Sequence, residues 1–202
     1  MISRDTIFAL STPRGKSAIA VFRITGPKSH SIIKKISSLK KIEPNKSVLG
    51  HIFDNRKKTI DKCVFVLFKS PKSFTGENMV EIHTHGNPTI IKNLFDCLSA
   101  CGLRIANPGE FTRIAYLNNK IDLVQAESVF NLISAQTPSG VNMCLNNLEG
   151  SLSSEFLDIK NQLIHALSLI EYELDMAENS TVNKTKKAVL SILKESLKRI
   201  QA

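Results

Sequence analysis

Glu81, His83 and His85 alternate along the segment MVEIHTH, and their types and spacing suggest chemistry more readily than any other residues of the chain. Residues two apart on a strand point to the same face, so we expect the three side chains to lie side by side. A carboxylate next to two imidazoles is a possible zinc chelate. Because no third or fourth protein ligand is evident in the sequence, we predict no metal site.

The triplet Gly15-Lys16-Ser17 resembles the end of a phosphate-binding loop. Such a loop needs a glycine five residues before its Gly-Lys pair, so that the backbone can wrap the phosphates. Position 10 is Leu10. We therefore predict that the triplet binds no nucleotide, and that this chain does not hydrolyse GTP by itself.

The elements that position these residues fall into an α+β region ending near residue 117 and a helical region after it. Segments rich in β-branched and aromatic residues, bounded by turn formers, predict strands near 5–10, 18–24, 48–53, 61–68, 78–85 and 102–106. Apolar residues at three- and four-residue intervals predict helices near 28–38, 88–101, 122–136, 139–176 and 184–201. The last three are expected to pack as an antiparallel bundle.

Three local signals refine the helical region. Asp122 is placed to cap the first helix. Gly150 interrupts the long middle helix, at a cost expected to be modest. The segment from Asn179 to Asn183 is expected to form the turn before the last helix.

Charge and composition favour a basic domain joined to a mildly acidic one. Residues 1–120 carry 20 Lys and Arg against 8 Asp and Glu, a net charge of +12, whereas residues 121–202 carry 7 against 10. An anionic partner is therefore expected for the first half, and both folate polyglutamates and tRNA qualify. No apolar run is long enough to span a membrane and no signal-peptide pattern opens the chain, so we expect a cytoplasmic protein without a membrane partner.

Four blocks of the chain carry a family resemblance. They are DTIFALSTPRGKSAIAVFRITGP, SFTGENMVEIHTHGNP, PGEFTRIAYLNNKIDLVQAES and LEGSLS. In order and spacing they resemble the N-terminal part of the MnmE (TrmE) family of tRNA-modification GTPases, from residue 5 to about 178. The resemblance implies a folate-binding and dimerisation domain at 1–118, similar to the tetrahydrofolate-binding domain of T-proteins. It also implies the first part of a helical domain at 119–202, ending where a GTPase domain is inserted, without the family's Cys-x-x-Lys tail.

The resemblance implies that Arg23, Glu81 and Lys120 contact the folate, and it names no catalytic residue. A pterin presents an amide N–H beside an exocyclic amine, and a carboxylate such as Glu81 can accept both. Without the resemblance, we would expect Arg23 to form an ion pair at a strand edge, with Asp5 or Glu110 as possible partners. Lys120 reads as a lysine exposed at the entry to a helix.

The function implied by the resemblance is modification of C5 of the wobble uridine in certain tRNAs. The complete protein is expected to act as a homodimer with an MnmG-like flavoprotein, using 5-formyltetrahydrofolate or a related reduced folate. GTP, magnesium and potassium belong only to a full-length protein that has the GTPase domain.

Two other classes of function remain open at this point. A stand-alone folate-dependent aminomethyltransferase would need a catalytic acid, for which Asp122 and Glu110 are candidates. A non-enzymatic dimerisation or RNA-binding remnant would need none.

The chain also departs from the family's patterns at two places. Its first loop is Pro13-Arg14-Gly15-Lys16-Ser17. The family's His-Gly-Gly turn is His85-Gly86-Asn87 here, and we expect Asn87 to hold a left-handed backbone.

Overall fold

A computed structural model describes residues 5–40, 43–175 and 182–201. It divides into two compact units, Met1–Ile121 and Asp122–Ala202, whereas the sequence places the boundary after residue 118. Each unit has its own architecture, and each is described separately below.

The first unit is a six-stranded mixed sheet with helices, which confirms the predicted α+β class. The strand order is β3-β4-β5-β2-β1-β6, in which β1 and β6 run parallel and all other neighbours antiparallel. The elements are β1 Ile7–Leu10, β2 Ser17–Thr25, α1 Ser29–Ile36, β3 Ser47–Phe53, β4 Thr59–Phe68, β5 Met79–Gly86, α2 Pro88–Ala100, β6 Arg104–Ile105 and α3 Glu110–Leu117.

Alternation along the central strands separates a core face from an open face of the sheet. Phe22 and Ile24 of β2, and Phe65 and Ile82 of the neighbouring strands, are fully buried on the core face together with Leu94 of α2. The side chains between them are only partly buried. We use the name open face for this second surface, which carries Val21, Arg23, Val64, Val66, Glu81 and His83.

Gly86 allows the end of β5 to pair closely with the start of β2. A Cβ atom at this position would lie 2.4 Å from the backbone oxygen of Ser17, far inside van der Waals contact. The sheet therefore requires a glycine immediately after His85, where the chain leaves the open face for α2.

The described residues of the second unit form four helices: α4 Leu123–Ser134, α5 Pro138–Leu148, α6 Ser151–Asp175 and α7 Val182–Gln201. The last two run antiparallel. Arg199, near the end of α7, contacts Asp158 near the start of α6, while Thr185 near the start of α7 donates a hydrogen bond to Glu173 near the end of α6. Asp122 caps α4 in a complete capping box with Gln125, which confirms the predicted N-cap.

Three expectations about the helices need correction. The predicted helix 139–176 is two helices, because Gly150 adopts φ +93°, a left-handed conformation that ends α5 rather than continuing it. Helix α3, which begins at Glu110 within the segment PGEF, falls outside the predicted helices. The turn is predicted from Asn179 to Asn183; residues 179–181 lie outside the described part of the chain, and Val182 and Asn183 already belong to α7.

None of the helices in the described ranges is both long and apolar enough to span a membrane.

Candidate functional site

Arg23 and Glu81 form a cross-strand ion pair at the centre of the open face. They lie directly opposite each other on β2 and β5, and Arg23 Nε donates to Glu81 Oε1 at 2.8 Å. The Glu81 side chain is 15% exposed and that of Arg23 is 40% exposed. This pair replaces the partners considered for Arg23 from sequence, because Glu110 and Asp5 instead contact Arg104.

The terminal nitrogens of the Arg23 guanidinium have no hydrogen-bond partner among the described residues. Arginine has five N–H donors in a fixed planar fork, and only the Nε–H is engaged here. Four donors therefore remain available on the open face, beside a carboxylate that retains free lone pairs. The pair can bind a ligand that offers both N–H groups and a carbonyl or carboxylate oxygen.

His83 approaches the second oxygen of the same carboxylate. Its Nε2 lies 3.3 Å from Glu81 Oε2, and its side chain is 33% exposed. An ionised carboxylate only accepts hydrogen bonds, so the Nε2 nitrogen carries the donated proton. Glu81 is thus held from both sides, by Arg23 across the strands and by His83 on its own strand, and its orientation is fixed before any ligand arrives.

Lys120 lies in the turn after α3 and contacts the loop that precedes β5. Its side-chain stem packs against Gly76, since a Cβ atom placed on this glycine would lie 3.2 Å from Lys120 Cγ. The neighbouring Asn118 donates from Nδ2 to the carbonyl oxygen of Thr75 at 2.7 Å. The loop that precedes β5 therefore holds the turn that carries Lys120.

Buried hydroxyl groups attach this loop to the end of β2. Thr25 and Thr75 are fully buried, and their Oγ1 atoms lie 2.7 Å apart. The Thr25 hydroxyl also lies 3.0 Å from Glu77 Oε2, to which it can donate. Partial burial raises the pKa of the Glu77 carboxyl, and this hydrogen bond opposes the rise. Lys120 is thereby linked to the strand that bears Arg23 by a chain of direct contacts.

Asp61, on the buried side of β4 near its start, is a polar residue that sequence reasoning missed. Its side chain is 8% exposed, and its oxygens accept the backbone N–H groups of Lys62 and His85 at 2.8 Å each. They also accept the ring Nδ1–H of His85 at 2.9 Å. The sequence offered one sign of this residue, an acidic side chain at the start of an otherwise apolar strand. Its partner, His85, becomes evident only from the pairing of β4 with β5.

Asn87 does not have the left-handed backbone expected for it. It adopts φ −97° and ψ 129°, and its side chain accepts the N–H of Thr89 as the N-cap of α2. An N-cap residue requires extended backbone angles, which explains the difference.

The loop before β2 also differs from a nucleotide site: Ser17 begins a strand rather than a helix, and the Arg14 guanidinium lies 5.9 Å from the centre of the Phe95 ring.

The two candidate acids for transferase chemistry are both engaged in structural contacts. The Glu110 carboxylate accepts two hydrogen bonds from Arg104 and one from the Asn107 backbone, and the guanidinium holds its pKa below the usual value. Asp122 is occupied in its capping box. Both carboxyls are committed to these contacts, which disfavours the aminomethyltransferase alternative.

No group of three or more His, Cys, Asp or Glu side chains in the described ranges is arranged to hold a metal ion. His83 and His85 lie on the same strand face, but each is engaged by a different carboxylate.

Comparison with known families assigns both units. Residues 6–120 match the family described as GTP-binding protein TrmE N-terminus, and residues 123–202 match the MnmE helical domain. These matches cover the sheet, the open face and the described helices.

Individual relatives agree with this assignment. Proteins described as tRNA modification GTPase MnmE are 42% identical in Fervidobacterium nodosum, 43% in Thermotoga maritima and 36% in Aquifex aeolicus, over 98%, 89% and 98% of this chain. The matched regions are 45%, 40% and 44% of the relatives' own lengths, so the chain spans somewhat less than half of these proteins. With both units matched in order along one chain, this protein belongs to the MnmE (TrmE) family.

Proposed function

We propose that this chain is the folate-binding and dimerisation region of a tRNA modification enzyme, with Arg23, Glu81 and Lys120 as the folate contacts. The observation that carries the proposal is the Glu81 carboxylate, largely shielded from water and fixed by Arg23 at 2.8 Å on an otherwise accessible sheet face. Membership of the MnmE family supports the same assignment.

The donor and acceptor set fits a reduced folate. Glu81 would accept the amide N–H and the exocyclic amine of the pterin ring as a parallel pair. The unengaged nitrogens of Arg23 would donate to an oxygen of the ligand, either the ring carbonyl or the formyl group. Lys120 would supply a second cation from the turn that Gly76 supports.

A bound folate supplies a one-carbon unit, and the residues of this chain bind and orient it. The shielded environment strengthens these contacts, because hydrogen bonds to a charged group are worth about 1.5–3 kcal/mol each when water is excluded. No side chain of the site is assigned a nucleophilic or acid–base role in this proposal.

In the complete protein, the proposal extends to modification of C5 of the wobble uridine in tRNA, in the cytoplasm. The partners are a second copy of the chain, an MnmG-like flavoprotein and tRNA. GTP hydrolysis, with magnesium and potassium, is assigned to a GTPase domain beyond the matched stretch and not to residues 1–202. The relatives' description as tRNA modification GTPases supports this extension.

The test is calorimetric titration of the purified chain with 5-formyltetrahydrofolate, together with the Arg23→Ala and Lys120→Ala variants. Saturable binding by the parent that weakens at least tenfold in each variant is the expected result. A parallel titration with GTP is expected to show no binding. A parent that is folded by circular dichroism but binds no folate would refute the proposal.

A further inference from the structure

A cavity of about 330 Å³ lies between the first turns of α2 and the loop that precedes β2. Residues three, four and seven positions apart on an α-helix lie on one face, and four of the lining residues have this spacing. They are Pro88, Ile91, Lys92 and Phe95, and the loop adds Arg14 and Gly15. The volume is at the lower end of those that hold small ligands, so the cavity suits a compact molecule.

The apolar wall of this cavity is held in place by the core beneath it. The ring of Phe95 lies 5.4 Å from the ring of Phe8 in a tilted arrangement, and 5.2 Å from the ring of Phe22 edge-on. Both of these phenylalanines are fully buried, and Ile91 beside them is 8% exposed. Because such ring contacts are favourable, the wall keeps its shape without a ligand and can pack against an aromatic ring.

The cavity and the Arg23–Glu81 pair lie on different faces of the sheet. Phe22 precedes Arg23 on β2, and successive residues of a strand point to opposite faces. Phe95 contacts Phe22 on the core face, whereas Arg23 lies on the open face. A ligand of this cavity is therefore independent of the folate function proposed above.

Two cations border the apolar wall, and neither forms an ion pair with another described residue. The Arg14 guanidinium lies 5.9 Å from the centre of the Phe95 ring and has no hydrogen-bond partner in the described ranges. The Lys92 ammonium is unpaired in the same ranges, because Asp96, one helical turn further along, borders a different cavity. An arginine fork can donate two parallel N–H bonds to a carboxylate, and a lysine adds a further donor.

We infer that this cavity binds a small aromatic carboxylate, with its ring against Phe95 and Ile91 and its carboxylate between Arg14 and Lys92. The carboxylate matches the planar arginine fork in both shape and charge. An aromatic amine would bring a third positive charge to the site, and a neutral aromatic compound would leave both cations without a partner. Arg14 belongs to the loop in which this chain departs from its family's pattern, so the site is proposed for this chain alone.

The experiment uses phenylacetate as the probe, titrated into the isotope-labelled chain and followed by two-dimensional NMR. Two analogues separate its parts: phenylacetamide keeps the ring without the charge, and acetate keeps the charge without the ring. The proteins are the parent, Arg14→Gln, Lys92→Gln and the control Lys34→Gln. All three substituted side chains are exposed, so each variant is expected to fold, and Lys34 lies on α1 away from the cavity lining.

The expected result is a shift of the amide signals of Ile91, of Phe95 and of the loop around Arg14, with the signals of the open face unchanged. Arg14→Gln and Lys92→Gln should each weaken phenylacetate binding about threefold to fivefold, as for the loss of one exposed ion pair, whereas Lys34→Gln should not. Phenylacetamide and acetate should each bind about tenfold more weakly than phenylacetate, because one loses both ion pairs and the other loses the buried ring.

Four results would overturn the inference. The folded parent could show no saturable binding of phenylacetate, or its shifts could map to the open face or to the helical unit. Arg14→Gln and Lys92→Gln could bind phenylacetate as tightly as the parent does. Phenylacetamide could bind as tightly as phenylacetate, which would show that the cations take no part. The folate titration tests the proposed function separately, so either proposal can fail while the other stands.

Discussion

Replacing Glu81 with glutamine separates the role of this residue in ligand binding from its role in folding. Glutamine has nearly the same shape, and its carbonyl oxygen can still accept the Arg23 Nε–H that now lies 2.8 Å from Glu81. Its amide nitrogen, however, donates where the carboxylate accepts. A pterin offering two N–H groups would then lose one acceptor and meet a donor in its place.

The structure sets different magnitudes for the two effects. Arg23 is 40% exposed, and partly exposed ion pairs contribute at most about 1 kcal/mol, so the free energy of unfolding is expected to fall by no more than that. The ligand loses one charge-assisted hydrogen bond worth about 1.5–3 kcal/mol. That loss corresponds to a roughly 10- to 150-fold weaker affinity for 5-formyltetrahydrofolate.

The assay combines urea denaturation with calorimetry on the parent, Glu81→Gln and the matched control Glu43→Gln. Glu43 is 59% exposed and pairs with Lys46 at the surface, so its substitution is expected to leave both stability and affinity unchanged. If folded Glu81→Gln bound the folate within threefold of the parent, Glu81 would not be the pterin acceptor, and the reasoning from its geometry would be refuted.

Four further predictions follow from other parts of the structure. Gly76→Ala and Gly102→Ala replace glycines with φ of +77° and +79°, so each should lower the free energy of unfolding by about 1–2 kcal/mol in urea titrations. Only Gly76→Ala, at the position that contacts Lys120, should weaken folate binding. Equal folate affinities of the two variants would contradict this prediction. Burial raises the pKa of the Glu77 carboxyl, so the contribution of this group to the free energy of unfolding is lost as the pH rises through that pKa. The Glu77→Gln variant should therefore be more stable than the parent at pH 7 but not at pH 4. An equal stability difference at both pH values would be evidence against this prediction. Burial raises the pKa of Cys63 to about 12, so iodoacetamide at pH 8 should alkylate it far more slowly than the half-buried Cys101, as read by mass spectrometry; comparable rates would show that Cys63 is accessible. Light scattering at tens of micromolar should give twice the mass of the chain, whereas a monomer mass would argue against the proposed dimerisation.

Local patterns in the sequence predict much of the fold. β5 alternates buried and partly exposed residues as its sequence suggests, and the Asp122 side chain meets Gln125 because both lie within one turn of helix. Gly150 shows the limit of such reasoning. A glycine is compatible with a helix interior as well as with a helix end, and its left-handed conformation becomes evident only in the three-dimensional structure.

The candidate site was less accessible from sequence, because its contacts depend on strand register. Arg23 and Glu81 are 58 residues apart, and no local pattern indicates that β2 pairs with β5 so as to set them opposite each other. The contact of Asp61 with His85 likewise depends on how β4 joins β5. Family resemblance proposes which residues contact the folate, and the strand register explains how Glu81 is held.

A crystal structure of the chain grown with saturating 5-formyltetrahydrofolate is the most direct test of the central claim. The account predicts the pterin ring on the open face, with its amide N–H and amino group within hydrogen-bond distance of the Glu81 carboxylate and an oxygen of the ligand facing Arg23. A folate bound away from the open face would contradict the account. So would crystals in which no neighbouring molecule covers Glu81 and the open face nevertheless holds no ligand.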